Sequence, residues 1–226
     1  MVKPIYNESG ITIYCGDCRD VLPHLEPVDL VLTDPPYGMN FRSNHRYIKH
    51  ENIFGDNELP IDIIKVLVKT PLNASYIFCR WDNLSQMPPP KSVLAWVKQN
   101  WSMGDLEHEH GRQWEAICFY QLPGHKFLKR IPDVIHNDRT GNNLHPTEKP
   151  LDLLMRLIDC NEGQTILDPF MGSGTTLVAA KSLGRKAIGI EIEKSYCDVA
   201  VKRLQQEYLP FTVEQKTKEQ DNLLPL

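Results

Sequence analysis

Two apolar runs that each end in a tight turn constrain this chain more than any other feature. Val28–Leu32 leads into TDPPYG at 33–38, and ILDPFMGSGTT at 166–176 begins with a second such run. A short, unbroken apolar run closed by Pro or Gly reads as a strand buried on both faces, the kind found in parallel sheets covered by helices. The rest of the sequence keeps that alternation. Further strands are expected at Gly10–Cys15, Ser75–Cys79, Ser92–Lys98, Glu115–Gln121 and Lys186–Glu191, besides Val28–Thr33 and Thr165–Asp168. Between them, Ile61, Ile64 and Val68 share one helical face, as do Leu151, Leu154, Met155 and Ile158, with Gly163 as the expected stop. Thr175–Leu183, closed by Gly184, and the stripe Tyr196, Val199, Ala200, Arg203, Leu204 supply two more helices. The expected class is α/β, a largely parallel sheet with an antiparallel edge hairpin.

A chain of 226 residues is long enough for one well-buried domain, expected over 1–210, with polar insertions near 38–58 and 99–113 and a polar tail at 211–226. No apolar run approaches the roughly 20 residues of a membrane span. MVKPIYNESG lacks the apolar stretch of a signal peptide, so a cytoplasmic protein is expected. Six scattered cysteines include one C-x-x-C, Cys15 and Cys18, with no second pair to complete a zinc site, and reduced thiols are the simpler reading. His108 and His110 read as part of a solvated loop rather than a metal site. A net charge of −4 argues against a long DNA-coating surface but allows a local basic groove. Arg42, Arg46 and Lys49, and separately Lys126, Lys129 and Arg130, are the candidates for phosphate contacts.

The two turns offer complementary chemistry. An exocyclic amine on a nucleobase is a poor nucleophile because its lone pair is delocalised into the ring. Asp34 can accept one of its N–H groups and the Pro35 carbonyl the other, drawing the nitrogen toward a pyramidal geometry. Pro35 and Pro36 hold these acceptors in place, and Tyr37 can stack on the base. In the second motif, Gly172 and Gly174 permit close backbone approach to a ligand, and the amides of the helix opened at Thr175 can face a carboxylate. Asp168 can meet a cationic amino group. The next strand ends in GIEIE at 189–193, where Glu191, in preference to Glu193, suits ribose hydroxyls.

Taken together, these motifs resemble the β-class AdoMet-dependent amino-methyltransferases of DNA, in which DPPY precedes the cofactor motif. HPTEKP at 145–150, GDC at 16–18 and RWDN at 80–83 extend the resemblance from about Ile11 to Tyr208. It implies a seven-stranded Rossmann-like fold with circularly permuted motif order, and AdoMet as cofactor. It places Lys149 near the donor's carboxylate, Asp17 and Cys18 at its adenine, Phe170 and Thr175 along the donor pocket, and RWDN in the wall of the target-base pocket. The catalytic set it implies is Asp34, Pro35, Pro36 and Tyr37, with no metal. DPPY favours N6 of a flipped-out adenine, with N4 of cytosine or an RNA base as second readings and a catalytically silent binding module as the non-enzyme alternative. DNA is the expected partner, and the small recognition surface leaves a homodimer open.

Overall fold

The computed structural model describes residues 3–39, 58–102, 107–108, 110–140 and 148–206. Arg42, Arg46 and Lys49, His145 and the 211–226 tail lie outside the described residues.

All seven expected strands form, as β2 (Ile11–Cys15), β3 (Leu30–Thr33), β4 (Ala74–Cys79), β5 (Ser92–Ser102), β6 (Arg112–Gln121), β8 (Thr165–Asp168) and β9 (Lys186–Glu191). Two short strands flank them, β1 (Tyr6–Glu8) and β7 (Val134–His136), completing a nine-stranded sheet in the order β1-β2-β9-β8-β3-β4-β6-β5-β7. The central pairs β2–β9, β9–β8, β8–β3 and β3–β4 are parallel, and β6 runs antiparallel to both β4 and β5. The 99–113 segment, expected to be a polar insertion, carries strand at both ends: β5 continues to Ser102 and β6 starts at Arg112.

Strand alternation explains the layers. Leu30 and Leu32 of β3, with Tyr76 and Phe78 of β4, point to one face, where they meet Leu153, Leu154 and Leu157 of α3 (Leu151–Asp159), Leu177 of α4 (Thr175–Ser182) and Ala200 of α5 (Lys194–Gln205). Val31, Ile77 and Cys79 point to the other face, against Val21 of α1 (Cys18–Val21) and Ile63, Ile64 and Leu67 of α2 (Ile61–Leu67). Each fully buried Leu or Ile contributes about 1.5–3 kcal/mol, so both faces help hold the sheet. Cys15 packs on the first face and Cys18 on the second, which is why the C-x-x-C spacing makes no pair; all six cysteines are free thiols.

Helix ends follow the local sequence. Gly184 closes α4 as expected: its N–H reaches the Lys181 carbonyl and the Arg185 N–H the Ala180 carbonyl. Gly163 does not stop α3. That helix is capped at Cys160, and Gly163 sits beyond it against Asp29, whose carboxylate accepts the Gln164 and Thr165 amides at 2.7 and 2.9 Å. Among the described residues, no helix is long and apolar enough to cross a membrane.

Candidate active site

From β8 the chain proceeds through α4 to β9 on one side, and from β3 through α2 to β4 on the other. The two directions diverge between β8 and β3, and ligands of open α/β sheets bind at the carboxyl ends of strands at such a divide. There Thr33 and Asp168, the last residues of β3 and β8, are joined by a hydrogen bond from Thr33 Oγ1 to Asp168 Oδ1 of 2.7 Å. The cleft beside them holds about 370 Å3 of empty space, part of it open to solvent. Asp34, Lys149, Asp168, Phe170, Gly172 and Thr175 line it, so both sequence motifs and the Glu148–Lys149 pair converge on one cavity.

On the DPPY side, Asp34 is held at both oxygens. Tyr37 Oη donates to Oδ1 at 2.5 Å, and Lys149 Nζ donates to Oδ2 at 2.5 Å. Burial pushes the Asp34 carboxyl above the usual carboxylate range, against the pull of Lys149. Burial also opposes the charge on Lys149, but Asp34 and Glu115 outweigh it and hold its pKa up. The resemblance implies a place for Lys149 near the donor's carboxylate; in the fold its ammonium lies against Asp34 and above the Tyr37 and Phe78 rings, at 5.7 and 5.1 Å from their centroids. Tyr37 has more than a stacking face, since its hydroxyl positions Asp34 and its backbone carbonyl accepts Asn83 Nδ2 at 2.9 Å. Asn83 belongs to RWDN, where Arg80 also forms a two-pronged pair with Asp82, at 2.9 and 2.5 Å.

On the glycine side, Gly172 and Gly174 both have left-handed backbone, at φ +50 and +80. Their reasons differ. A Cβ on Gly174 would come within 2.8 Å of Ala200 Cβ, so that glycine serves the packing of α4 on α5 rather than ligand approach. Gly172 lines the cleft, and its N–H donates to Glu191 Oε2 at 3.0 Å while the Glu193 N–H donates to Oε1 at 2.8 Å. Burial raises the Glu191 carboxyl to about 7 and the Asp168 carboxyl to about 6. Asp17 caps α1, accepting the Arg19 N–H at 2.8 Å, and the adjacent Gly16 N–H is fixed to the Glu191 carbonyl at 2.9 Å. The Cys18 side chain is buried in the core beneath this loop, its thiol pushed up to about 12 by burial, so only its backbone is available to a ligand.

Several site residues escaped the sequence reading. Arg203, expected as part of an apolar helix stripe, reaches back from α5 to the glycine turn. Its Nη1 donates to Ser173 O, Ser173 Oγ and Thr175 Oγ1 at 2.9, 3.0 and 3.0 Å, and its Nη2 pairs with Glu148 at 3.2 Å. Glu115 of β6 and Lys98 of β5 form an ion pair behind Lys149. A charged residue abutting each apolar run was the only available signal. The second basic cluster needs correction. Because β6 is antiparallel to β4, the residues after Gln121 emerge at the amino edge of the parallel strands, with Leu122 N bonded to the Asn73 carbonyl. Lys126, Lys129 and Arg130 therefore lie across the sheet from the cleft, and Lys129 is paired with Asp159. Phosphate contacts there would not accompany a base entering this pocket.

The cleft suits a sulfonium donor. Asp168 puts an anionic group in it, α4 presents its amino end to a carboxylate, and Glu191 stands at the neighbouring strand end for a diol. The positive donor prefers both carboxylates ionised. AdoMet affinity is accordingly expected to strengthen as pH rises through about 6 and then about 7, the values of Asp168 and Glu191, and to level off above. Titration calorimetry across this range checks it, and Glu191→Gln should flatten the upper part; a pH-independent affinity would remove these carboxylates from the donor site.

Comparison with known proteins agrees with this geometry. Residues 80–202 match the N6/N4 DNA methylase family. The putative methylase YubD of Escherichia coli (strain K12) is 34% identical over 210 residues, spanning 84% of this chain and 88% of that protein. Type II methyltransferase M.BglII of Bacillus subtilis is 28% identical over 251 residues, covering 86% and 69% of the two chains. The crystal structure of the M1.HpyAVI–SAM complex superposes with a TM-score of 0.65 at 26% identity, over 87% of this chain and all of that one. The cytosine-N4-specific PvuII DNA methyltransferase shares the fold, with a TM-score of 0.70 at 16% identity over 92% and 91% of the chains. With its DPPY turn and glycine turn meeting at one cleft, the chain belongs to the N6/N4 DNA methylase family of AdoMet-dependent amino-methyltransferases.

Proposed function

We propose that this enzyme methylates N6 of an adenine that has left the DNA duplex, and that residues 1–210 act as one catalytic domain. The observation that carries the reading is the place of Asp34. It opens the turn after β3 and lines the cleft, which makes its carboxylate available to a base amine brought beside the donor. Bound AdoMet supplies an electrophilic methyl carbon on a sulfonium. The chain's own residues do the rest. Asp34 and the Pro35 carbonyl orient the amine and concentrate its lone pair; Pro35 and Pro36 keep both acceptors fixed, so little reorganisation is needed during transfer. Tyr37, steadied by Asn83, offers its ring to the base, and extrusion costs a few kcal/mol of unstacking. An anionic acceptor at position 34 favours adenine over cytosine within this family. Incubating mixed-sequence DNA with labelled AdoMet and digesting it to nucleosides tests the reading. Labelled N6-methyladenine is expected; N4-methylcytosine would overturn the base assignment, and label appearing only when RNA is supplied would overturn DNA as substrate.

A further inference from the structure

Behind the acceptor runs a row of four alternating charges. Lys98 on β5 pairs with Oε1 of Glu115 on the adjacent β6; Oε2 of Glu115 faces Lys149 Nζ at 3.5 Å; Lys149 Nζ holds Asp34 Oδ2 at 2.5 Å. The two lysine side chains are only 7% and 8% exposed. Although buried, Glu115 Oε2 has no hydrogen-bond partner among the described residues. The arrangement matters because Asp34, as found, is not ready to receive a base. One oxygen accepts from Tyr37 and the other from an ammonium; each has a lone pair left, but the cation on Oδ2 drains the acceptor strength an amine would need there. Lys149 is the only cation in direct contact with Asp34 among the described residues, and its alternative anion is an ångström farther away on the same side chain's arc.

We infer that Glu115 is a positioning residue that takes Lys149 from Asp34 when the base arrives, leaving Asp34 Oδ2 for the base amine. Lys98 fixes Oε1 of Glu115 and so turns the unfilled Oε2 toward Lys149. The Phe78 and Tyr37 rings keep favourable contact with the ammonium as it shifts. The move lets the cation change partners without crossing apolar space, and it makes acceptor strength depend on base entry. The inference rests on Asp34 being the amine acceptor.

The test is a double-mutant cycle on methyl transfer at saturating AdoMet and DNA. Glu115→Gln keeps the side-chain volume and removes the alternative anion. Its kcat is expected to fall about 30-fold, with AdoMet Kd and DNA KM within about twofold. In a Lys149→Met background no ammonium competes for Asp34 Oδ2, so adding Glu115→Gln should cost less than about twofold, assayed at the pH optimum of the Lys149→Met enzyme. Multiplicative losses, or a Glu115→Gln enzyme of wild-type rate, overturn the inference. Should Lys149→Met be inactive at every pH, the pH profile of Glu115→Gln decides. Among the described residues the groups facing Asp34 are Lys149, Glu115, Tyr37, Cys79 and Asp168, and loss of the Glu115 charge should move the acid limb to lower pH. A slower enzyme with an unmoved limb marks Glu115 as merely structural. If Asp34→Asn itself stays active, the acceptor assignment fails instead, which is a separate result.

Discussion

Asparagine in place of Asp34 is expected to lower turnover by about 10²–10³-fold while AdoMet affinity stays within about threefold. The substitution preserves shape and takes away the charge that makes position 34 a strong acceptor. It also turns one potential acceptor into an amide donor aimed at the amine or at Lys149. Lys149 would then depend on Glu115, already at 3.5 Å, so the buried ammonium is not left alone. Breaking a buried pair completely costs about 3–5 kcal/mol, and the second anion should keep the loss below that range. The donor side is untouched, because Asp168, Gly172 and Glu191 are held by Thr33, by the glycine turn and by Glu193. Single-turnover methyl transfer and calorimetry of AdoMet binding, on the same preparation, separate the two sides of the cleft. A rate near wild type removes Asp34 from catalysis. Loss of AdoMet binding together with rate would instead make it part of the donor site.

How much of this cleft was legible in the sequence depends on whether the backbone or the topology places a residue. Asp34 and Asp168 could be read because each immediately follows or ends an apolar run that only a two-sided buried strand satisfies, and residues at the ends of such strands meet at one edge. Glu191 follows from the same rule one strand over. Glu115 and Lys98 could not be read this way. They sit on an antiparallel hairpin, and which of its alternating residues faces the cleft depends on a register that periodicity does not supply, here Trp96 opposite Glu115. The same strand reversal misled the reading of Lys126, Lys129 and Arg130: basic residues close together in sequence were carried to the far edge of the sheet. Arg203 was hidden by its own helix, since a long side chain on an amphipathic stripe looks like a boundary residue until the glycine turn is seen beneath it. Strands β1 and β7, three residues each, are too short to carry a pattern and exist because neighbouring strands offer them unpaired edges.

Valine in place of Gly172 is expected to weaken AdoMet binding about 100-fold or more, with turnover at low donor concentration falling in step. Two effects add. A φ of +50 is left-handed backbone, which a β-branched residue adopts only at a cost, and relaxing it would rotate the N–H away from Glu191 Oε2, now 3.0 Å distant. That bond helps hold the Glu191 carboxylate in its ionised form. The side chain would also project into the cleft that Gly172 lines. Alanine and asparagine distinguish strain from occlusion. Asparagine tolerates left-handed backbone better than alanine but is larger. If the cleft is the donor pocket, affinity should fall in order of size, alanine least, then asparagine, then valine. If only backbone strain matters, asparagine should be the mildest of the three. Calorimetry at one pH gives the order directly, and unchanged affinity across the series would show that the glycine turn does not touch the donor at all.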